Sequence, residues 1–262
     1  VRSRIAYEEE MAVLAMKCYA RITPVAVALL IPCGAAGAQG RWDWIVAPYV
    51  WAVDISTDLE TPPPASAVVS RRLSFGDVVD KLDGAFQMHA EGQGEHFGLF
   101  ADFTYLGLSQ DATRRIFQAD SDLDTRLFEA AAVWSPGGQR FTGTEVFAGL
   151  RYLDLDIAST ITPTGPLGVP QFRVELDESF NDFMFGARYT WAFGGRWGLT
   201  LRADGSWGDT DGTWNTSIVA NYKMKSGAWY FGYRYLDVDA QARSVSTDLV
   251  IKGPAIGYGF AF

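Results

Sequence analysis

Two histidines, His89 and His96, flank a tight turn, Gly92-Gln-Gly-Glu95, with Glu91 and Glu95 close by. Imidazole beside carboxylate is the raw material of a metal site or of general acid–base chemistry. The spacing argues against both. His89 and Glu91 share a face of one alternating segment, whereas His96 begins another, so a common ligand sphere is not expected. No Gly-rich phosphate loop, zinc-ligand spacing or nucleophile elbow occurs in the chain. Both cysteines, Cys18 and Cys33, lie near the start, so the rest has no thiolate chemistry and no disulfide. The sequence implies no catalytic residue, cofactor or metal.

The charges that do form a pattern are arginines. Gly149-Leu-Arg-Tyr152, Gly186-Ala-Arg-Tyr189 and Gly232-Tyr-Arg-Tyr235 repeat one motif. At a period of two, Gly and Arg share a face and Tyr takes the other, and the small Gly is expected to leave room for its Arg. Arg151, Arg188 and Arg234 are therefore grouped on one side, joined by Arg202 beside Asp204 on its own face. Asp102, Glu91, Glu129, Asp182 and Asp204 are the candidates of opposite sign. The chemistry on offer is mutual neutralisation, because an unpaired buried charge costs several kcal/mol.

Strands must carry these residues. The first alternating run is Asp43-x-Ile45-x-Ala47-x-Tyr49-x-Trp51-x-Val53-x-Ile55. Others follow at about 84–92, 96–109, 124–134, 143–157, 178–193, 196–209, 212–223, 228–239 and 246–262. In 178–193, Phe183, Phe185, Ala187, Tyr189, Trp191 and Phe193 face one way, with Asp182, Gly186, Arg188 and Thr190 opposite. Large apolar side chains outside and small or polar ones inside describe a strand between lipid and a lumen. Tight turns at Gly92–Glu95, Phe193–Arg196 and Lys225–Gly227, with the slightly longer Ser135–Gln139, alternate with longer polar stretches at 56–83, 110–123, 158–178 and 240–246. The expected fold is all-β: a closed antiparallel up-and-down transmembrane β-barrel of about ten strands (8–12), with short turns in the periplasm and long loops outside. Gly208-Asp-Thr-Asp-Gly212 is the exception, a short connection where a long outer one is due; a wrong strand count or a tight outer hairpin would each account for it.

Both ends fit export to an outer membrane. Met16-Lys-Cys-Tyr-Ala-Arg21, an apolar run from Ile22 to Ile31 and an Ala36-Gly-Ala38 cleavage site make residues 16–38 a secretory signal peptide. The run is too short, and too broken by Pro24 and Pro32, for a spanning helix. Glu8, Glu9 and Glu10 suit no export signal, so residues 1–15 read as an over-extended start, with translation beginning at Met11 or Met16. The barrel domain is then 39–262. Removing residues 1–38 takes away 4 of 22 basic and 3 of 31 acidic residues and leaves a net charge of −10, which argues against nucleic acid. At the other end Phe262, Phe260, Tyr258 and Ile256 share one face, like an assembly signal that closes on a terminal aromatic. Aromatics at 14% supply two interfacial girdles.

The first outer stretch holds one more legible element. Ser74-Phe-Gly-Asp77 reads as a capping box, and Phe75, Val78, Val79 and Leu82 recur at helical spacing. A helix this short does not persist alone in water. Its apolar face is expected to rest on the barrel mouth as a plug.

Four stretches together carry a resemblance: Trp42-x-Trp44 with Pro48-Tyr-Val-Trp51, Phe75-Gly-Asp-Val-Val-Asp-Lys-Leu82, Phe97-Gly-Leu-Phe-Ala-Asp102-x-x-Tyr105, and the Gly-x-Arg-Tyr strands. They resemble a group of small proteobacterial outer-membrane proteins, similar in architecture to OmpA-type and OmpW-type barrels. The resemblance covers nearly all of 42–262 and implies an integral outer-membrane barrel with no catalytic residue carried over. Its expected partners are outer-membrane lipid and lipopolysaccharide, and the barrel-assembly machinery; the external partner is unknown. Three functions follow. The first is a structural or interaction barrel whose lumen is filled by Arg–acid pairs. The alternatives are a narrow porin for small solutes and, last, a lipid-modifying enzyme, for which both histidines are expected to lie too near the periplasmic end.

Overall fold

The computed structural model describes residues 42–60, 68–113, 117–163, 172–242 and 245–262. The expected signal segment, with Ala36, Ala38 and both cysteines, lies outside the described residues. The strands are β1 (Asp43–Trp51), β2 (Asp54–Glu60), β3 (Val68–Leu73), β4 (Leu82–Gln93), β5 (Phe97–Thr113), β6 (Phe117–Trp134), β7 (Gly143–Pro163), β8 (Phe172–Phe193), β9 (Trp197–Gly208), β10 (Gly212–Lys223), β11 (Gly227–Ala242) and β12 (Val245–Ala261). One helix, α1 (Phe75–Asp80), precedes β4.

From β4 to β12 each strand pairs antiparallel with the next, and β1 pairs with both β4 and β12. Ten strands thus close an up-and-down barrel with no free edge along the closed section. The seam is held to the last residue: Phe262 N–H donates to Trp44 O at 2.9 Å, and Trp44 N–H returns to Phe262 O at 3.2 Å. Among the described residues no helix is long and apolar enough to cross a membrane; strands are the elements able to do so.

The outward faces explain why the alternation is so regular. Leu150, Phe183, Phe185, Leu201, Ile218, Phe231 and Ile256 are all exposed on the outside of the wall. Rings border this belt at both ends. Trp44, Trp191, Trp197, Trp229 and Phe260 lie toward the short turns, and Trp207 meets Trp214 edge-on at 5.7 Å near the other end. Between Phe183 and Phe193 the β8 strand rises roughly 25 Å once tilt is allowed for, the height of an outer-membrane apolar band. The outward ion pair Arg126–Asp154, at 2.6 Å, lies beyond the belt.

Three connections differ from the sequence reading. First, the run 43–55 is two strands, because the ladder breaks at Ala52–Val53. Ala52 N–H donates to Pro254 O at 2.8 Å, so Pro254 turns its backbone toward β1, and proline has no N–H to return. The chain restarts as β2, still on β12, and folds back as β3, so much of 56–83 is a hairpin rather than a loop. Second, most of 110–123, 158–178 and 240–246 is strand: β5–β8 and β11–β12 run on past the belt in register. The sequence there is polar, and the apolar alternation that marks a membrane strand is missing although pairing continues. Third, Gly208–Gly212 is a tight outer hairpin, and the strand count is not at fault.

The interior is in layers. Toward the outer end Trp51, Leu106, Leu127, Leu153, Phe180, Leu236, Val238 and Ile251 form a buried apolar cluster inside the barrel. Charged side chains fill the middle. The capping box of α1 is present, with Ser74 and Asp77 bonded reciprocally. Of its four apolar residues, however, only Val78 reaches the luminal cluster; Phe75, Val79 and Leu82 are exposed. The expected plug is corrected to a single side chain. The helix is only six residues long, which brings one position onto the barrel, and Leu82 already belongs to β4 beside a register shift.

Candidate functional site: the luminal charge network

Alternation places the site. On β7, β8, β9 and β11 the positions that face inward carry Arg151, Arg188, Arg202 and Arg234; on β4, β5, β6, β7 and β9 they carry Glu91, Asp102, Glu129, Glu145 and Asp204. Every one of the four guanidinium groups contacts two carboxylates. Arg151 holds Glu129, at 2.8 Å, and Asp204. Arg202 holds the same two, at 2.9 and 2.7 Å. Arg234 reaches Glu129 at 2.6 Å and Asp102 at 3.6 Å. Arg188 holds Glu145 at 2.5 Å and also Glu91. Glu129, fully buried, is thus shared by three arginines.

His89 joins the two halves. Its Nδ1 lies 3.1 Å from Asp102 and its Nε2 3.2 Å from Glu91. Carboxylates only accept, so both contacts are hydrogen bonds only when both ring nitrogens carry protons. With that imidazolium the network contains five cations and five anions and is neutral. The chain of contacts runs from Glu145 through Arg188, Glu91, His89, Asp102 and Arg234 to Glu129, and from there through Arg151 and Arg202 to Asp204.

Neutral groups lock the ends. Gln93 donates to both Glu91 and Glu145 at 2.6 Å, Tyr49 donates to Asp102 at 2.8 Å, and Asn215 bridges Asp204 and Arg234 at 2.7 and 2.8 Å. Rings hold the guanidinium planes: Arg202 lies 4.9 Å from the centre of Phe147 and 5.1 Å from Phe100, and Arg234 lies 5.0 Å from Trp51. Such contacts add to ion pairing where water is excluded. The glycine of the motif serves its neighbours rather than its own arginine. A Cβ on Gly186 would lie 2.4 Å from Asp204 Cβ and 2.6 Å from Phe147 Cζ, two of the side chains that grip Arg202.

The residues named from sequence divide clearly. Arg151, Arg188, Arg202, Arg234, Glu91, Asp102, Glu129 and Asp204 come together. Asp182 does not join an arginine: it accepts from Thr210 N–H at 3.1 Å, Thr210 Oγ1 at 2.5 Å and Ser206 Oγ at 3.0 Å. It stands directly across the β7–β8 ladder from Arg151, at the foot of the Gly208–Gly212 hairpin, and is linked to that guanidinium through Ser206, whose Oγ accepts from Arg151 Nη1 at 3.1 Å. His89 and Glu145 were not singled out as network members. Their inward parity was the available signal. His96 lies in a turn, with Nδ1 3.1 Å from Ser135 O. Phe260 and Phe262 are exposed at the end of the chain, and Tyr258 and Ile256 precede them at alternate positions.

Beyond the network, toward the short turns, the barrel opens into a chamber of about 640 Å³. Arg188, Arg202, Arg234 and Asp102 form its roof, and Asp43, Lys223, Lys225 and Phe262 surround its mouth. On the outer surface Asp237, Asp239 and Asp248 bring carboxylate oxygens within 4.8 Å of one another, which makes that patch strongly anionic.

No protein-family model matches the chain, and no curated protein matches it. Several solved structures are similar at low identity. Ail, the attachment invasion locus protein of Yersinia pestis, is 9% identical over 85% of this chain and 100% of its own, with a TM-score of 0.39. The outer membrane protein OprG of Pseudomonas aeruginosa is 11% identical over 85% and 97%, at 0.34. The outer membrane protease OmpT of Escherichia coli is 9% identical over 86% and 98%, at 0.29. The strand pairing, not these likenesses, fixes the closed ten-strand architecture.

Proposed function

We propose that the protein is an integral outer-membrane barrel with a structural or interaction role, whose lumen does not conduct. One observation supports this above all: the chain of ion pairs from Glu145 to Asp204 spans the interior, with every arginine held by two carboxylates. A pore lining that selects anions needs guanidinium groups free to meet the ion, and these are already occupied. The apolar layer outside the network adds a second barrier. The belt of outward rings fits lipid and lipopolysaccharide, the short turns fit the periplasmic side, and the last strand fits recognition by the assembly machinery. The extended β5–β8 and β11–β12–β2–β3 sheets are the surfaces an external partner would meet.

The hydroxyls that touch the network, Ser135 Oγ on Glu145 and Ser206 Oγ between Arg151 and Asp182, are hydrogen-bonded into it, and His89 is held on both sides, which favours a structural role over a catalytic one. The narrow-porin reading keeps one observation in its favour, the chamber open at the turn end. Planar-bilayer recording of the refolded protein separates the two. The closed reading expects no resolvable unitary current in molar KCl, and stable steps of current overturn it.

A further inference from the structure

We propose that the turn-side chamber is a binding site for a small, neutral, hydroxyl-rich solute of the sugar class. The same two strands show that the space is built in. On β11 and β12, inward positions beyond the network are large, with Leu236, Val238, Leu249 and Ile251 packed in the apolar layer. On the turn side, Tyr230 apart, they shrink to Ala228, Gly232, Ala255 and Gly257, and the chamber lies against them. Its 640 Å³ is within the range of about 300–1,000 Å³ in which small-ligand sites fall.

A polar group waits in this wall. Asn221, nine per cent exposed, lines the chamber, and its Oδ1 has no hydrogen-bond partner among the described residues. A buried acceptor without a donor is rare in folded proteins and calls for a reason. Tyr230 stands directly across the β10–β11 ladder from it, and Ser217 lies on the same face of β10, so amide and hydroxyl groups converge on one side. The Tyr230 ring is held against the wall: a Cβ on Gly259 would lie 2.7 Å from its Cε2. A flat ring beside an amide offers one surface for C–H groups and another for hydroxyls.

Charge selects against ions of either sign. An anion entering the chamber meets guanidinium groups that each already hold two carboxylates, with Glu91, Glu145 and Asp102 around them. A cation passes Lys223 and Lys225, with Asp43, at the mouth and meets Arg188, Arg202 and Arg234 at the roof, where Asp102 is already held by Arg234 and His89. A purely apolar solute leaves Asn221 Oδ1 unserved. A neutral molecule carrying hydroxyl donors satisfies all three conditions.

Saturation-transfer NMR on the refolded protein in micelles tests this with one scaffold in three charge states: glucose, glucose 6-phosphate and glucosamine, with trehalose as a larger neutral probe. Glucose or trehalose is expected to bind, with both charged forms at least tenfold weaker. Asn221→Leu is expected to weaken the neutral sugar tenfold or more, and Val219→Trp, which fills the chamber, to abolish binding. Heat-modifiable migration on gels reports whether each variant is folded; if one is not, the other decides. No transfer to either neutral sugar, a preference for a charged form, or equal binding by wild type and the folded variants overturns the proposal. The closed-lumen reading is tested separately, since a conducting barrel that binds sugar would show sugar-dependent interruptions of current and a closed one binds without current.

Discussion

Arg188 shows what the luminal network costs to break. Its guanidinium satisfies Glu91 and Glu145, both buried, and Glu91 in turn faces His89. Removing one member of a buried pair leaves the other charge stranded, a loss of about 3–5 kcal/mol, whereas exposed pairs contribute about 0–1 kcal/mol. Arg188→Ala is therefore expected to destabilise the barrel by several kcal/mol in urea unfolding from lipid vesicles. Arg196→Ala, in an exposed turn where Nη1 meets the Tyr222 hydroxyl at 3.3 Å, is expected to change stability by less than about 1 kcal/mol. Equal small losses would mean that the arginines are solvated. At this scale the parity of the Gly-x-Arg-Tyr motif made the cations legible. The partners were less so, because parity gives a face and not a height on the strand. Asp182 has the right face and stands across from Arg151, yet Ser206 and Thr210 take its oxygens, and His89, beside its turn in sequence, directs its ring to Asp102.

The terminal residue belongs to the same scale. Phe262 exchanges two backbone hydrogen bonds with Trp44 and so fastens the last strand to the first, while its ring stays exposed. Deleting Phe262 is expected to leave export intact and to prevent assembly, read as loss of the heat-modifiable form from outer-membrane fractions. Wild-type amounts of folded mutant would refute this.

Among the elements, the outer sheet and α1 respond to pH in opposite senses. Hydrogen bonds from Ser74 hold the Asp77 carboxyl below its ordinary 3.8. A depressed carboxyl stabilises the fold above its unfolded value and loses that contribution as pH falls. The α1 turn is thus expected to persist until pH drops below about 4 and then to fray. Asp248 behaves the other way: partial desolvation first, then Asp237, Asp239 and Asp58, raise it above 3.8. A raised carboxyl contributes most while protonated, and that contribution is lost as pH rises through the raised value. The β11–β12–β2 sheet is expected to tighten on mild acidification, and Asp248→Asn to reproduce the gain at neutral pH. Amide NMR titration of Val78 and Val250 checks both; shifts of the same sense at both sites would contradict the assignment. The ten membrane strands were legible because lipid enforces alternation. The β2–β3 hairpin and the outer continuations were not, since nothing apolar is required of a strand with water on its outer side.

For the whole molecule, the proposed closure is a property of layers rather than of a lid. The sequence marked the charged layer and the small residues of the turn side. It did not separate the apolar outer layer from an ordinary alternating strand, because Leu236 and Ala228 are both inward apolar positions and only depth distinguishes them. The expectation that a loop helix seals the barrel changes accordingly. Val78 is one contact on a cluster that already includes Trp51, Leu106, Leu127, Leu153, Phe180 and Leu236. Replacing residues 61–81 with a short Gly-Ser linker removes β3 and α1 but leaves β1 and β4–β12, the ten strands of the closed barrel. The linker variant is expected to fold, to stay heat-modifiable and to remain non-conducting in planar bilayers, since the apolar cluster loses only Val78 and the Leu73 packed against it, and the ion-pair network below is untouched. A ten-strand bore is narrow enough for side chains to fill. If the linker variant conducts where the full-length protein does not, the seal lies in the loop, the luminal layers are permeable, and the narrow-porin reading becomes the better one.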